Sequence, residues 1–445
     1  MSEASDNEID RWGLAACLFV ALVLRGLVVG LDADELTCDR DVYLGIAQGV
    51  AEGRGLCSPG STTPTAFRPP LYPLMLGGLM VAVPAGVAVA VVNGLFGIAA
   101  VWATWRASQC LGLGRAGLLA ALLVGVDPLL LRYTAQPMTE TTCAGLVALM
   151  LLAMVSDQWH SSRREWSVGA LFGLLVLCRP TFWPLVGLMV AAWCLNRWRG
   201  SGVVAMSGND SLRAACQRGL PWRVAVGTML VVAPWVIRNQ LVLGRPLLTT
   251  THGGYTLLLA NNRVFYDEVV DQPWGTVWSG DSLVRWQAEQ DERLERDLGP
   301  RASEIERDVK LSAIARDFIA SEPRRFTRAT WHRVRSLWST VPQGDAAGGA
   351  AGWLIEAVGW YYSLILLAFA VGMVVVARRL DRGRWWSLYA VVITVQAVHL
   401  VYWTNARMRA PLTPVISLFA ATILAPRVRP VSSDSSTKPV GSGPN

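Results

Sequence analysis

The stretch "WGLAACLFVALVLRGLVVGL", residues 12–31, decides how the rest of the chain is interpreted. Its length matches the roughly 20 residues that an α-helix needs to cross about 30 Å of hydrocarbon. An acidic tail precedes it and no small-x-small cleavage site follows it, so we expect an uncleaved first span rather than a signal peptide. The composition of the whole chain also favours a membrane protein, because 52% of its 445 residues are hydrophobic and only 16% are charged. This composition predicts a polytopic membrane protein.

Arginines in short loops indicate which loops face the cytoplasm. The arginine-bearing loops alternate with loops that carry almost no positive charge, and we place the former inside: 106–115, 157–166, 197–223, 378–384 and the tail after 425. Ten helical spans satisfy this pattern, with both termini cytoplasmic: 12–31, 86–105, 116–132, 138–156, 167–178, 180–196, 223–237, 353–377, 386–404 and 411–425. The apolar run 71–83 is too short to cross and predicts an interfacial or re-entrant helix. The fold class expected is therefore an all-α polytopic membrane protein with about 10 transmembrane helices.

The same pattern predicts the domain organisation. Residues 1–238 form a membrane module with a large first external loop at 32–85, and 239–351 form an extracytoplasmic segment. The C-terminal transmembrane helices occupy 352–426, and a disordered cytoplasmic tail occupies 427–445. Within the second segment, apolar residues near helical spacing at 302–323 predict a small external helical subdomain.

Net charge gives no support for nucleic-acid binding. The chain carries +7, whereas 239–351 holds 14 basic and 15 acidic residues. The basic excess therefore lies in the cytoplasmic loops, where membrane orientation explains it, and no nucleic-acid motif is present.

The stretch "CDRDVYLGIAQ", residues 38–48, places Asp39 and Asp41 at the predicted outer surface just after the first span. External arginines near spans are exceptions to the positive-inside rule, and these lie at the same face: Arg68, Arg179, Arg407 and Arg409. Guanidinium groups offer a fixed fork of donors and suit a phosphate or pyrophosphate. Two simpler interpretations stay open: a loop that is polar only because it borders the membrane, and arginines that bind ordinary anionic headgroups or snorkel.

Several short motifs, taken in order, resemble a known family. They are Asp39 four residues before Tyr43, then "GRGL", "FRPPLYPL", "QPMTETT" with Glu140, "LCRPTF", "PWVIRNQLVLGRP", "THGGYTLLLANN" and "ARMRAPLTP". The series resembles the polytopic GT-C glycosyltransferases, in the branch of protein O-mannosyltransferases and the lipid A aminoarabinose transferase. Two departures are evident: Arg40 replaces the glutamate that often follows the catalytic aspartate, and no inserted sugar-binding-type domain is present.

The resemblance implies a GT-C-like helical bundle in the cytoplasmic (inner) membrane. It implies transfer of a sugar from a polyprenyl-phosphate donor to the hydroxyl of a lipid, glycan or protein acceptor at the outer face. In that chemistry Asp39 is the candidate catalytic base. Arg68, Arg407 and Arg409 are candidates to hold the leaving phosphate. The remaining candidate substrate-binding residues are Asp41, Tyr43, Glu140 and Arg179.

Other functions and sites stay open at this point. A transporter or flippase of an anionic lipid or solute needs charge near the bilayer midplane, and the third alternative is a non-enzymatic scaffold. His252 could line the site, although a lone histidine is more often structural. The eight cysteines show no metal-ligand spacing, so no cofactor is predicted, with a divalent cation possible as in some members of this family. Cys38 and Cys57 share the first external loop and are either a disulfide or two thiols.

Overall fold

The computed structural model describes residues 2–156, 162–189, 191, 222–276, 278, 280–341, 351–379 and 382–425. The predicted cytoplasmic tail 427–445 lies outside the described residues. So does the predicted loop 197–223 as far as residue 221. Within the described part the chain is helical, and its one β-bridge joins Cys57 and Pro64.

The first half of the chain contains helices α1 to α8. Their bounds are α1 Ser2–Leu31, α2 Tyr43–Ala51, α3 Leu71–Met80, α4 Ala85–Cys110, α5 Ala116–Gly125, α6 Pro128–Arg132, α7 Glu140–Val155 and α8 Ser162–Cys178. Helix α3 is the short apolar helix that the sequence predicts at 71–83. Helix α8 ends at Cys178 because Pro180 follows and begins a 3₁₀ turn.

The second half contains helices α9 to α16. Their bounds are α9 Trp222–Leu243, α10 Gly253–Ala260, α11 Gly280–Leu298, α12 Glu304–Ser321, α13 Pro323–Leu337, α14 Gly352–Arg379, α15 Arg382–Val398 and α16 Thr413–Ala421. Helix α12 confirms the helix predicted within 302–323. Its first turn is fixed by a capping box between Ser303 and Glu306.

Four described helices are long and apolar enough to cross a membrane. They contain the segments Asp10–Leu31, Ala85–Cys110, Trp222–Leu243 and Gly352–Arg378. Such helices are those of a multi-pass membrane protein, as the sequence predicts. The count of ten spans remains a prediction. Helices α7 and α15 are apolar but shorter than the four helices that are long enough to cross a membrane.

The prediction of one continuous helical span at 116–132 is wrong. The segment is broken into α5 and α6, with a bend of 40°. Asp127 causes the break, since its side chain accepts a hydrogen bond from the Leu130 N–H and Pro128 occupies the first helical position. If the bent pair is one span, the described residues hold five.

Small residues allow the helices to pack closely, which is the usual arrangement in membranes. A Cβ on Gly145 of α7 would lie 2.6 Å from the Phe96 carbonyl oxygen of α4. A Cβ on Gly372 of α14 would lie 2.0 Å from the Phe419 carbonyl oxygen of α16. Helix α16 is buried along its whole length, so it forms the centre of the C-terminal part.

Candidate active site

Five charged residues form a continuous series of ion pairs, which we call the ion-pair chain: Arg68, Asp41, Arg407, Glu140 and Arg179. Asp41 contacts Arg68 at 2.9 Å through Oδ1 and Arg407 at 3.0 Å through Oδ2. Glu140 Oε1 contacts Arg407 Nε at 2.9 Å and Arg179 at 2.7 Å. All five are candidates from the sequence, and the structure brings them together.

Each member of the ion-pair chain lies at or just beyond the end of a helix. Glu140 is the first residue of α7, and Arg179 directly follows the last residue of α8. Arg407 lies in the 3₁₀ turn Ala406–Leu412 between α15 and α16, where its N–H donates to Asn405 Oδ1. The ion-pair chain therefore occupies one end of the helical bundle.

The loop that carries Asp41 has an unusual backbone. Val42 has φ 57°, and it is the one described residue other than glycine with positive φ. A β-branched residue in this region is strained, and such strain concentrates at functional sites. Val42 lies between Asp41, which contacts Arg68, and Tyr43, the first residue of α2.

Three arginines and two carboxylates give the ion-pair chain one excess positive charge. The side chain of Glu140 is 1% exposed, whereas those of Arg68 and Arg407 are 15% and 23% exposed. Burial raises the pKa of Asp41, but Arg407 and Arg68 outweigh this and hold it below its ordinary value. Asp41 is therefore ionised at neutral pH. The accessible arginine edges can bind an anion.

Glu140 keeps one unused acceptor. Its Oε2 is buried and has no hydrogen-bond partner among the described residues. A buried carboxylate oxygen without a donor costs free energy, so it is suited to accept a hydrogen bond from a ligand hydroxyl. Thr139 and Met138 fix the two arginines beside it, by accepting from Arg179 Nε at 3.1 Å and from Arg407 at 3.2 Å.

Aromatic side chains line the site next to Arg68. Its guanidinium carbon lies 5.4 Å from the ring centre of Tyr43 and 5.1 Å from that of Phe67. Tyr43 packs edge-on against Tyr72, and its burial raises its pKa to about 12. Its hydroxyl therefore stays protonated at physiological pH.

His252 lies in the same aromatic wall. It contacts Phe67 at 4.3 Å and stacks on Tyr255 at 5.0 Å between ring centres. Burial, with Arg68 nearby, lowers the pKa of His252 to about 3, so the imidazole is neutral. Its Nδ1 is buried without a partner among the described residues. Among the aromatic side chains near Arg68, sequence reasoning singled out Tyr43 and His252 but missed Phe67 and Tyr255.

Asp39 lies outside the ion-pair chain. Its Oδ1 accepts from the Leu44 N–H at 3.1 Å and its Oδ2 from the Gly45 N–H at 2.7 Å. It thus anchors the first turn of α2, which starts two residues after Asp41.

Arg409 also lies apart, although it is two residues from Arg407. It is 1% exposed and donates to the carbonyl oxygens of Leu337 and Ser339 at 2.9 and 2.8 Å. Its guanidinium lies 4.5 Å from the Tyr362 ring centre. These contacts join the end of α13 to α14.

The possible Cys38–Cys57 disulfide is not present, and both cysteines are free. The Cys57 thiol instead donates to the carbonyl oxygen of Arg54 at 3.1 Å, within a turn closed by the bridge to Pro64. No group of three or more potential metal ligands occurs among the described residues. The prediction that no cofactor is used, with a divalent cation possible, stays a prediction.

Glu304 links the segment between α2 and α3 to the start of α12. From the start of α12, its carboxylate accepts from the Thr65 hydroxyl and the Ala66 N–H, both at 2.7 Å. Sequence reasoning missed this contact, because more than 230 residues separate the partners and no motif marks it.

Comparison with known proteins gives structural neighbours only. No protein-family model matches the sequence, and no curated protein matches it significantly. Among solved structures, the apo oligosaccharyltransferase of Archaeoglobus fulgidus has a TM-score of 0.48 at 14% identity, covering 92% of this chain and 50% of its own. The same organism's AglB with an inhibitory peptide and a dolichol-phosphate has a TM-score of 0.44 at 12% identity, covering 93% and 50%. ArnT from Cupriavidus metallidurans bound to undecaprenyl phosphate has a TM-score of 0.39 at 13% identity, covering 90% and 77%.

These neighbours are GT-C glycosyltransferases. This chain spans about half the length of the archaeal enzyme. Identities of 14% or less with TM-scores under 0.5 do not assign a family or an activity to it.

Proposed function

We propose that this protein is an integral-membrane glycosyltransferase that moves a sugar from a polyprenyl-phosphate donor to an acceptor hydroxyl. The observation that carries the proposal is the ion-pair chain at one end of the apolar helices. It offers one excess positive charge and accessible arginine edges where a lipid phosphate meets the membrane surface. We place this end on the extracytoplasmic side of the cytoplasmic membrane, as the arginine pattern of the loops predicts.

In the proposed reaction, the arginines of the ion-pair chain stabilise the leaving lipid phosphate. When the bond between the anomeric carbon and the phosphate oxygen breaks, negative charge grows on the lipid phosphate, and Arg68 and Arg407 stabilise it. Arg179 holds Glu140 in place, and Glu140 Oε2 accepts a hydrogen bond from a sugar hydroxyl. Arg409 is a structural residue in this scheme, because it is 1% exposed and its Nη1 donates to two backbone carbonyl oxygens.

A carboxylate must take the proton of the acceptor hydroxyl as its oxygen bonds to the anomeric carbon. Asp39 is the base that the motif resemblance implies, and Asp41 competes for the role because it lies beside Arg68 and Arg407. The lowered pKa of Asp41 makes it a weak base, while both oxygens of Asp39 already accept backbone N–H groups. Comparison of the two asparagine variants separates these assignments.

The test of the proposed function is a transfer assay in membranes from a strain that lacks the gene. Membranes with the wild-type protein receive a radiolabelled pool of polyprenyl-phosphate sugars, and labelled lipid, glycan and protein fractions are counted. We expect label to enter one fraction, and Arg407→Gln to lower the rate at least tenfold. Arg40→Gln is the matched control, because Arg40 lies in the first external loop but pairs with Glu35. Equal labelling with wild-type and empty membranes would refute the proposal.

One observation favours the alternative of a transporter or flippase. Arg25 lies within the apolar helix α1 and is 2% exposed, and its Nε and one terminal nitrogen have no partner among the described residues. Its other terminal nitrogen donates to the Gly125 carbonyl oxygen at 3.1 Å, next to the break between α5 and α6. Buried charge in an apolar helix often marks a transport path. Lipid scrambling in proteoliposomes that is lost with Arg25→Gln but kept with Arg407→Gln would support this alternative.

A further inference from the structure

Helix α13 of the external subdomain presents a basic stripe that has no role in the site described above. Arg324, Arg328, Trp331 and Arg335 are exposed and are spaced by four, three and four residues. This spacing places them on one helix face along about 16 Å. The opposite face is buried through residues such as Ala329 and Leu337.

A groove runs beside this stripe. It consists of two adjoining cavities of about 410 and 370 Å³, and Trp274 and Arg335 line both. The Arg335 guanidinium lies 4.0 Å from the Trp274 ring centre, so the tryptophan holds it at the groove. We call this feature the basic groove, with Arg324, Arg328, Trp331, Arg335 and Trp274 as its defining residues.

The charge of the basic groove is only partly neutralised by its surroundings. Helix α13 contains no acidic residue. Asp271 pairs with Arg325 at 2.7 Å and with Arg328 at 3.3 Å. Arg324 and Arg335 make no ion pair among the described residues, so they provide two uncompensated positive charges. Anions are therefore attracted to this groove.

The basic groove lies where the helical bundle ends. The Arg333 guanidinium and the Thr330 hydroxyl donate to the Leu400 carbonyl oxygen, at 2.6 and 3.2 Å, just beyond the end of α15. Trp338, which lines one cavity, donates to Gln396 at 2.7 Å and stacks on Phe369 of α14. The end of helix α13 thus rests on α14 and on the end of α15.

Tryptophans on α14 mark the level of the membrane surface. Trp353 and Trp360 are both 71% exposed, although they belong to an apolar helix. Exposed tryptophan at the end of a span is typical of the membrane–water interface. Val341, which lines the groove, would lie 3.4 Å from a Cβ on Gly359, the neighbour of Trp360. The groove is therefore level with lipid headgroups.

From these observations we propose that the basic groove binds the phosphate of an anionic phospholipid headgroup from the surrounding bilayer. Arg324 and Arg335 pair with the phosphate, and Trp331 and Trp274 pack against the glycerol and upper acyl region. The bound lipid holds the external subdomain against the membrane. This site is separate from the ion-pair chain and does not depend on the proposed glycosyl transfer.

The test is native mass spectrometry of the purified protein titrated with dioleoyl-phosphatidylglycerol or with dioleoyl-phosphatidylcholine. We expect wild type to retain phosphatidylglycerol preferentially. The double variant Arg324→Gln, Arg335→Gln should lower its apparent affinity by about thirty-fold, since each basic residue near an anionic surface contributes a factor of about five. Its affinity for phosphatidylcholine should change little.

The matched control is Arg296→Gln, which removes an exposed arginine of the same subdomain that donates to its own helix. A thermal unfolding midpoint equal to that of wild type would show that the double variant is folded, and this is the expected result because both arginines are exposed. Equal phosphatidylglycerol affinity in folded wild type and double variant would overturn the proposal. Displacement of the lipid by inorganic phosphate at a similar concentration would also overturn it, because the site would then bind soluble anions.

Discussion

Replacement of Glu140 by glutamine should destabilise this protein more than the loss of any ordinary surface ion pair. Glu140 is 1% exposed and is shared by Arg407 and Arg179 at 2.9 and 2.7 Å. Glutamine keeps the shape of the side chain but leaves Arg179 without a carboxylate and Arg407 with Asp41 alone. Removal of one partner from a buried pair costs about 3–5 kcal/mol.

Partial solvation of the arginines reduces that cost. Their side chains are 13% and 23% exposed, so water compensates part of the freed charge, and we expect a loss of about 2–3 kcal/mol. An unfolding entropy of about 2 cal/mol/K per residue gives roughly 0.9 kcal/mol/K for 445 residues. The thermal midpoint should therefore fall by about 2–3 °C.

The assay is thermal unfolding of the purified protein in one detergent at pH 7. Glu165→Gln is the matched control, because Glu165 is also a helix carboxylate paired with a distant arginine, Arg223 at 3.1 Å. That pair is 21% and 36% exposed, so its loss should cost under about 1 kcal/mol. A Glu140→Gln midpoint equal to that of Glu165→Gln would refute the claim that Glu140 is the buried centre of the ion-pair chain.

Four further measurements test the site and its contacts. Asp39→Asn should lower transfer on the order of 10²-fold if it is the base, whereas a larger loss with Asp41→Asn in the same radiolabel assay would assign the base to Asp41. Because the folded pKa of Asp41 is depressed, its stabilising contribution is present above about pH 4 and is lost as pH falls through the folded value. Asp41→Asn should therefore flatten the acid limb of the unfolding midpoint against pH, and an unchanged limb would contradict the assignment. His252 should show no titration between pH 8 and 5 in histidine-labelled NMR spectra, since its pKa is about 3. Glu304→Gln should speed hydrogen exchange at Ala66, whose N–H it binds, and unchanged protection would contradict this link.

The sequence predicted the helices where a strong local signal was present. The run 12–31 and the proline-bounded segments are such cases, because apolar length and the missing N–H of proline act locally. The break at Asp127 also carried a local signal, an N-cap aspartate followed by proline, but the span prediction weighed only hydropathy. Helix α16 has 9 residues, all of them buried, and is therefore shorter than the predicted span 411–425.

The types of residue in the candidate site were predictable, but their partners were not. Asp41 pairs with residues 27 and 366 positions away, so only the folded chain brings them together. Arg407 and Arg409 look equivalent in "ARMRAPLTP", yet they occupy a 3₁₀ turn, where residues two apart point in different directions. One therefore joins the ion-pair chain and the other is buried against Leu337 and Ser339.

The most direct test of the central claim is binding of tritiated undecaprenyl phosphate to the purified protein in a scintillation proximity assay. A charge-assisted contact to phosphate contributes about 1.5–3 kcal/mol, so Arg68→Gln and Arg407→Gln should each weaken binding by about tenfold or more. Arg40→Gln should stay within about twofold of wild type, because Arg40 pairs with Glu35 outside the ion-pair chain. Equal binding by wild type and by Arg68→Gln and Arg407→Gln would contradict the account.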